Sequence, residues 1–137
     1  MAGEIFRHHQ RVIYAQCTIG NHVYHSRYLD ILEAARGEFM RALGYPVLQL
    51  QEQNIIFPVI ECRVKYLAPA RYDDELVIEL WIKSATRLRL TMAGRIVSPD
   101  GIVYVEAETD HVTTSTDEKP KRMPVELLEA CKRYLAA

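Results

Sequence analysis

The chain has 137 residues, 49% hydrophobic and 26% charged, with six Gly and six Pro, which excludes disordered, collagenous and coiled-coil classes and leaves one globular core that buries roughly two thirds of the unfolded surface. Seventeen Lys and Arg against 18 Asp and Glu give a formal charge of −1, so there is no basic footprint and no nucleic-acid partner is expected. The N-terminus lacks an apolar signal-type run and the most apolar stretch, 76–82, is interrupted by Glu79; the expectation is no integral membrane contact and a cytoplasmic location.

Residues 11–17 read as a short opening strand, and residues 18–26, with Gly20 and Asn21, as a loop. Tyr28, Ile31, Leu32, Ala35, Phe39, Ala42 and Leu43 then recur at helical spacing. Ser26 is placed to cap this helix, and Gly44 with Pro46 to stop it. From residue 55 the period falls to two, and runs at 55–66, 76–84, 87–97 and 102–113 read as strands.

In the second run Leu76, Ile78, Leu80 and Ile82 share one face, opposite Val77, Glu79, Trp81 and Lys83. In the third, Leu88, Leu90, Met92 and Ile96 oppose Arg87, Arg89, Thr91 and Arg95. Ser98-Pro99-Asp100-Gly101 is a hairpin turn, because Pro fixes φ and Gly accepts a positive one, so the runs it joins are antiparallel neighbours. Residues 114–121 form a polar loop. From Pro124 a short amphipathic helix carries Val125, Leu127, Leu128, Cys131 and Leu135. The sum is an α+β domain, one long helix laying its apolar stripe on an antiparallel sheet.

Cys17, Cys62 and Cys131 are odd in number and widely spaced, which points to reduced thiols rather than a disulfide framework or a zinc knuckle. His8 and His9 are adjacent on a strand, so they point apart, and no third ligand accompanies them. No metal is expected.

Two segments carry a family likeness. The first is Val23-Tyr24-His25-Ser26-Arg27-Tyr28-Leu29-Asp30, running on through Glu33, Arg36 and Gly37 to Phe39. The second is Val64-Lys65-Tyr66-Leu67-Ala68-Pro69-Ala70-Arg71-Tyr72-Asp73-Asp74-Glu75-Leu76. With the order of elements, they resemble the hot-dog-fold acyl-CoA thioesterases of the 4-hydroxybenzoyl-CoA thioesterase-like group. The resemblance implies a hot-dog fold, an antiparallel sheet wrapped around one long central helix. It also implies hydrolysis of an acyl-CoA or acyl-carrier-protein thioester to free acid and thiol. No separate cofactor is implied, coenzyme A being part of the substrate. The expected assembly is a homodimer with sheets joined edge to edge, or a homotetramer, with the substrate tunnel between subunits.

The family usually places an Asp six residues before the motif tyrosine, Tyr24, and here that position is Thr18. A threonine hydroxyl needs a neighbouring base before it can attack anything. Three readings stand. In the first, Thr18 and Asn21 orient the thioester or a water, as in the acid-lacking hot-dog thioesterases of enediyne and polyketide pathways. Backbone N–H groups near Val23 and Tyr24 then hold the oxyanion, and Arg36 faces the pocket. In the second, His22 or His25 is the general base. In the third, Glu33 or Glu38 on the helix replaces the missing acid.

Structural roles compete with each of these. Glu33 can pair with Arg36, Arg27 or Arg63, Thr18 can satisfy loop backbone, and loop histidines can simply be solvated. Cys17, next to Thr18 on a strand end, should point to the opposite face, and the family register puts Thr18 at the pocket. By the same resemblance Ser84 and Thr86 contact the pantetheine arm. Arg87, Arg89 and Arg95 meet the phosphates of CoA, pair with Glu106 and Glu108, or solvate the sheet. A non-catalytic acyl-CoA or metabolite binder on the same fold, and a hot-dog hydratase using Glu33 with His25, are the competing functions.

Overall fold

A computed structural model describes residues 3–136. The elements run β1 (Phe6–Arg11), β2 (Cys17–Thr18), β3 (His22–Val23), α1 (Arg27–Ala42), α2 (Val47–Glu52), β4 (Val59–Tyr66), β5 (Glu75–Ala85), β6 (Arg89–Val97), β7 (Val103–Val112) and α3 (Val125–Lys132). Five strands form one antiparallel sheet in the order β1-β5-β6-β7-β4, and β2 pairs with β3 in a separate small hairpin. The inward residues of the central strands, among them Leu76, Ile78, Leu80, Ile82, Leu90, Met92, Ile96 and Val105, are buried in one core with α1. This is the expected α+β arrangement.

The stripe of α1 is buried at Tyr28, Ile31, Leu32, Ala35, Phe39 and Met40, while Ala42 falls outside it and is exposed. Phe39 is clasped between the rings of Phe6, stacked with centroids 5.1 Å apart, and Tyr134, edge-on at 4.9 Å. Each such side chain removed from water stabilises the fold by about 1.5–3 kcal/mol. Gly44, at φ +89°, ends the helix region as its place in the sequence requires. Ser26 occupies the N-cap position but its side chain makes no capping bond, its backbone already being helical.

Several boundaries differ from the sequence reading. The opening strand is residues 6–11, not 11–17; Phe6, His8 and Gln10 alternate half-buried with exposed Arg7, His9 and Arg11, so polar side chains on both faces hide its period. Residues 14–16 form a single 3₁₀ turn instead. β4 begins at Val59 rather than 55, because Ile55 closes the turn after α2 and Ile56 makes only an isolated bridge to Thr114. Leu88 is exposed in the turn before β6, and Arg87 leaves the sheet face to donate Nε–H to the Met123 carbonyl at 2.9 Å.

The outer face of the sheet is charged but not simply wet. Glu79 is buried there between Arg7, at 3.0 Å, and Arg95, at 2.6 Å. Burial alone would raise its pKa, yet the two guanidiniums outweigh burial and hold it below the ordinary carboxylate value. Arg95 therefore pairs with Glu79 rather than with Glu106 or Glu108. Glu108 instead accepts from Lys83 at 2.6 Å and Arg63 at 2.7 Å.

All three cysteines are free, Cys62 exposed and Cys131 buried in a site that pushes its thiol up to about 11. Among the described residues no helix is long and apolar enough to cross a membrane.

Candidate active site

The loop carrying Thr18, Asn21, His22, Val23, Tyr24 and His25 is a short hairpin laid at the entrance of α1. Thr18 sits directly opposite His22, and Cys17 opposite Val23, in the β2–β3 pair. Alternation puts buried Val23 on one face and exposed Thr18 and His22 on the other. Gly20 at φ +85° and Asn21 at φ +61° make the turn, the left-handed region that Gly and Asn tolerate best.

Residues 70–72 hold this hairpin. The Val23 N–H donates to the Ala70 carbonyl at 2.9 Å, the Tyr72 N–H to Asn21 Oδ1 at 3.2 Å, and the Arg71 guanidinium to the Gly20 carbonyl at 3.3 Å. The Ala70 N–H in turn donates to the buried Tyr28 hydroxyl at 3.0 Å. Burial pushes the Tyr28 phenol above its ordinary value, against the lowering effect of that bond.

This network decides which backbone donors are free. The Tyr24 N–H donates to the Gln16 carbonyl at 2.9 Å and the Val23 N–H to Ala70, so neither can serve an oxyanion, contrary to the reading that placed it there. The N–H groups of His25 and Ser26, the last two before α1, have no acceptor among the described residues. They lie at the N-terminal end of α1, where the helix dipole is positive. Aromatic rings frame the spot: the His25 ring lies 4.4 Å from Tyr24 and 6.3 Å, edge-on, from Tyr66, whose hydroxyl donates to the His25 carbonyl at 3.0 Å.

The family model of the thioesterase-like superfamily matches residues 14–131, spanning this loop, the helix and four of the five strands of the main sheet. The chain belongs to the thioesterase-like superfamily. It is 32% identical over 130 residues to the Escherichia coli acyl-CoA thioester hydrolase YbgC, covering 94% of this chain and 97% of that one. A crystal structure of an Aquifex aeolicus protein matches with a TM-score of 0.86 at 27% identity, over 92% of this chain and 98% of its own. A dynemicin thioesterase matches with a TM-score of 0.90 at 16% identity, over 98% and 99%, a likeness of fold alone. The hot-dog fold expected from the two motifs is the one observed.

Other expected members of this superfamily site lie elsewhere. Glu33 and Arg36 are about 1.7 and 2.5 turns into α1, ion-paired with each other; Glu33 is 69% exposed, whereas Arg36 is only 14% exposed. Glu38 pairs with Arg41 instead. Ser84, Thr86 and Arg87 lie at the β5–β6 turn, the length of β5 away from residues 71–75, roughly 33 Å at 3.3 Å per residue. There the Thr86 hydroxyl accepts from the N–H groups of Leu88 and Arg89, closing the turn. One chain does not bring these three to its own loop.

The structure adds a cavity of about 240 Å³ between α1, α2 and the ends of β4 and β7, lined by Met40, Leu50, Ile55, Phe57, Met92 and His111 with Glu33, Arg36 and Gly37 at its helical side. His111 was not singled out by the sequence reading. Its Nδ1 faces the Phe57 carbonyl at 3.1 Å, which can only accept, so Nδ1 carries the hydrogen and Nε2 accepts from the Thr109 hydroxyl at 2.8 Å. Burial lowers its pKa, the neighbouring Phe57 carbonyl opposes this and Arg36 adds to it. Its parity with Val105, Ala107 and Thr109 was the available signal, a polar residue at an inward position of β7.

Proposed function

We propose that the chain hydrolyses acyl-CoA thioesters at the entrance of α1, the carbonyl oxygen accepting from the free N–H groups of His25 and Ser26. Those two donors are the observation that carries the reading. Preorganised amides at a helix start stabilise the developing oxyanion without any carboxylate. Water attacks the carbonyl carbon, the C–S bond breaks, and the proton given up by the water reaches the departing thiolate. Within this reading His22 is the base, because the β2–β3 register sets it across from Thr18, with Cβ atoms about 4.5–5.5 Å apart in such pairs. Thr18 orients the water. Asn21, whose oxygen is spent on Tyr72, shapes the loop.

The likeness to YbgC, named as an acyl-CoA thioester hydrolase, supports the substrate class. We further assign a homodimer joined through β4, a sheet edge whose residues are all exposed except half-buried Val64. An open edge of that length invites a second strand. Across such an interface Ser84, Thr86 and Arg87 of a second copy become available to the CoA arm. Three unpaired thiols fit a reducing, cytoplasmic compartment.

The test is thiol release from short, medium, long and aromatic acyl-CoAs by wild type, Thr18→Ala, His22→Gln, His25→Ala and Glu33→Gln, each checked for folding. His22→Gln should lower kcat by about 10²–10⁴-fold, the usual value of a general base, while Glu33→Gln stays near wild type. Collapse with Glu33→Gln and survival of His22→Gln would move the base onto the helix. Acyl-CoA binding without any release would make the chain a binding protein.

A further inference from the structure

Gly37 stands in the middle of α1 with a negative φ, and a Cβ built on it would meet nothing within 4 Å. A mid-helix glycine weakens the helix relative to alanine, and neither a turn nor a close contact inside this chain accounts for it. What it does is leave an opening. Gly37 and Val47 line both the half-open cavity and an open groove between α1 and α2, whose other walls are Arg41, Pro46, Leu48, Gln49 and Glu52. Val47 and Leu48 are exposed apolar side chains with no core to cover them.

A path of mixed character, apolar on its β4 side and carrying the Glu33–Arg36 ion pair on its helix side, also leads to this opening from the entrance of α1. The register of β4 turns Cys62, Val64 and Tyr66 toward the helix side, matching inward Thr109, Ala107 and Val105, yet β4 is largely uncovered there. Leu29, Glu33, Arg36, Gly37 and Met40 recur at three and four residues along the α1 face that ends at the cavity. From Ser26 to Gly37 this face advances about 16 Å at 1.5 Å per residue. The Arg36 guanidinium lies along it, held by Glu33 alone among the described residues.

We infer that the far end of the substrate's acyl chain runs along this face into the cavity, and that chains longer than the cavity leave through the opening over Gly37 between α1 and α2. This rests on the thioesterase reading above. The substrate class is then long unbranched acyl groups, and the open space over Gly37 is what admits chains longer than the cavity.

The experiment compares kcat/KM for butyryl-CoA and palmitoyl-CoA in wild type, Gly37→Leu and Gly37→Ala, with folding followed by circular dichroism. Gly37→Leu should lower the palmitoyl-to-butyryl ratio by about tenfold or more, and Gly37→Ala should keep it within about twofold, since a methyl group leaves the opening passable. Should Gly37→Leu not fold, Val47→Trp closes the opening from its other wall. An unchanged ratio in a folded blocking variant overturns the inference, as does a wild type that turns over butyryl-CoA but not palmitoyl-CoA. If wild type releases thiol from neither substrate, the thioesterase reading fails, and calorimetric titration with palmitate then decides the subsite alone. Binding by wild type that Gly37→Leu abolishes supports it; binding that both share, or that neither shows, overturns it.

Discussion

Replacing Tyr28 by Phe tests whether the loop is held from beneath by one hydroxyl. Phe keeps the ring among its neighbours and removes only the acceptor of the Ala70 N–H, a bond of 3.0 Å in a buried setting. Ala70 is fully buried, so its N–H finds no water in exchange, and an unsatisfied buried donor costs about 1–3 kcal/mol. At about 4 °C per kcal/mol for a chain of this size, the melting midpoint should fall by about 4–12 °C. In urea the midpoint concentration should drop with an unchanged slope. Because the Ala70 carbonyl also receives the Val23 N–H, the same change should loosen the hairpin and lower kcat/KM for thiol release. Tyr66→Phe provides the contrast: its hydroxyl bonds the His25 carbonyl at an exposed site, so stability should move by no more than about 0.5 kcal/mol. A Tyr28→Phe protein that melts with wild type would refute the strut.

Two further outcomes follow from the sheet. Gly94→Ala would bring a Cβ to 2.6 Å from Leu80 Cδ2 and 2.9 Å from the Glu79 backbone oxygen, so it should cost about 1–3 kcal/mol, read as a lower thermal midpoint. The pH dependence separates two groups. The lowered pKa of His111 means the unfolded chain binds its proton first, so stability should decline as pH falls below the ordinary 6.5, and His111→Gln should flatten that limb. Glu79, also lowered, contributes stability above its ordinary 4.5 that is lost as pH falls further, a second limb that Glu79→Gln should remove. Thermal scans across the acid range check both.

The long helix and the central strands were legible because their burial obeys simple periods, 3.6 along α1 and two along β5 to β7. The Ser98–Gly101 hairpin was legible for a different reason, that Gly101 takes the φ of +97° its turn demands. β1 was not, since an edge strand bearing His8 and Gln10 on its inner side has no apolar alternation to detect. Nor was α2, which buries only Leu50. At the site, the hairpin residues could be named from their order, but which amides remain free depends on Ala70 and Gln16 reaching back to claim two of them. The inward parity of His111 on β7 was readable, but the cavity beside it depends on Phe57, more than fifty residues earlier in the chain, folding back onto that strand.

The order of strands also dictates how the molecule is put together in time. β5, β6 and β7 succeed one another through short turns, so this meander closes at little entropic cost, whereas β1 must find β5 across residues 12–74 and β4 joins β7 from the far side. The hairpin of Thr18 and His22 lies inside that long excursion. Amide exchange should accordingly be slowest in β5 to β7 and fastest in β1 to β3, which release without unfolding the meander. The hairpin on which the proposed function depends is thus assembled after the sheet that supports it, and partial openings that leave the meander intact are enough to disarrange it.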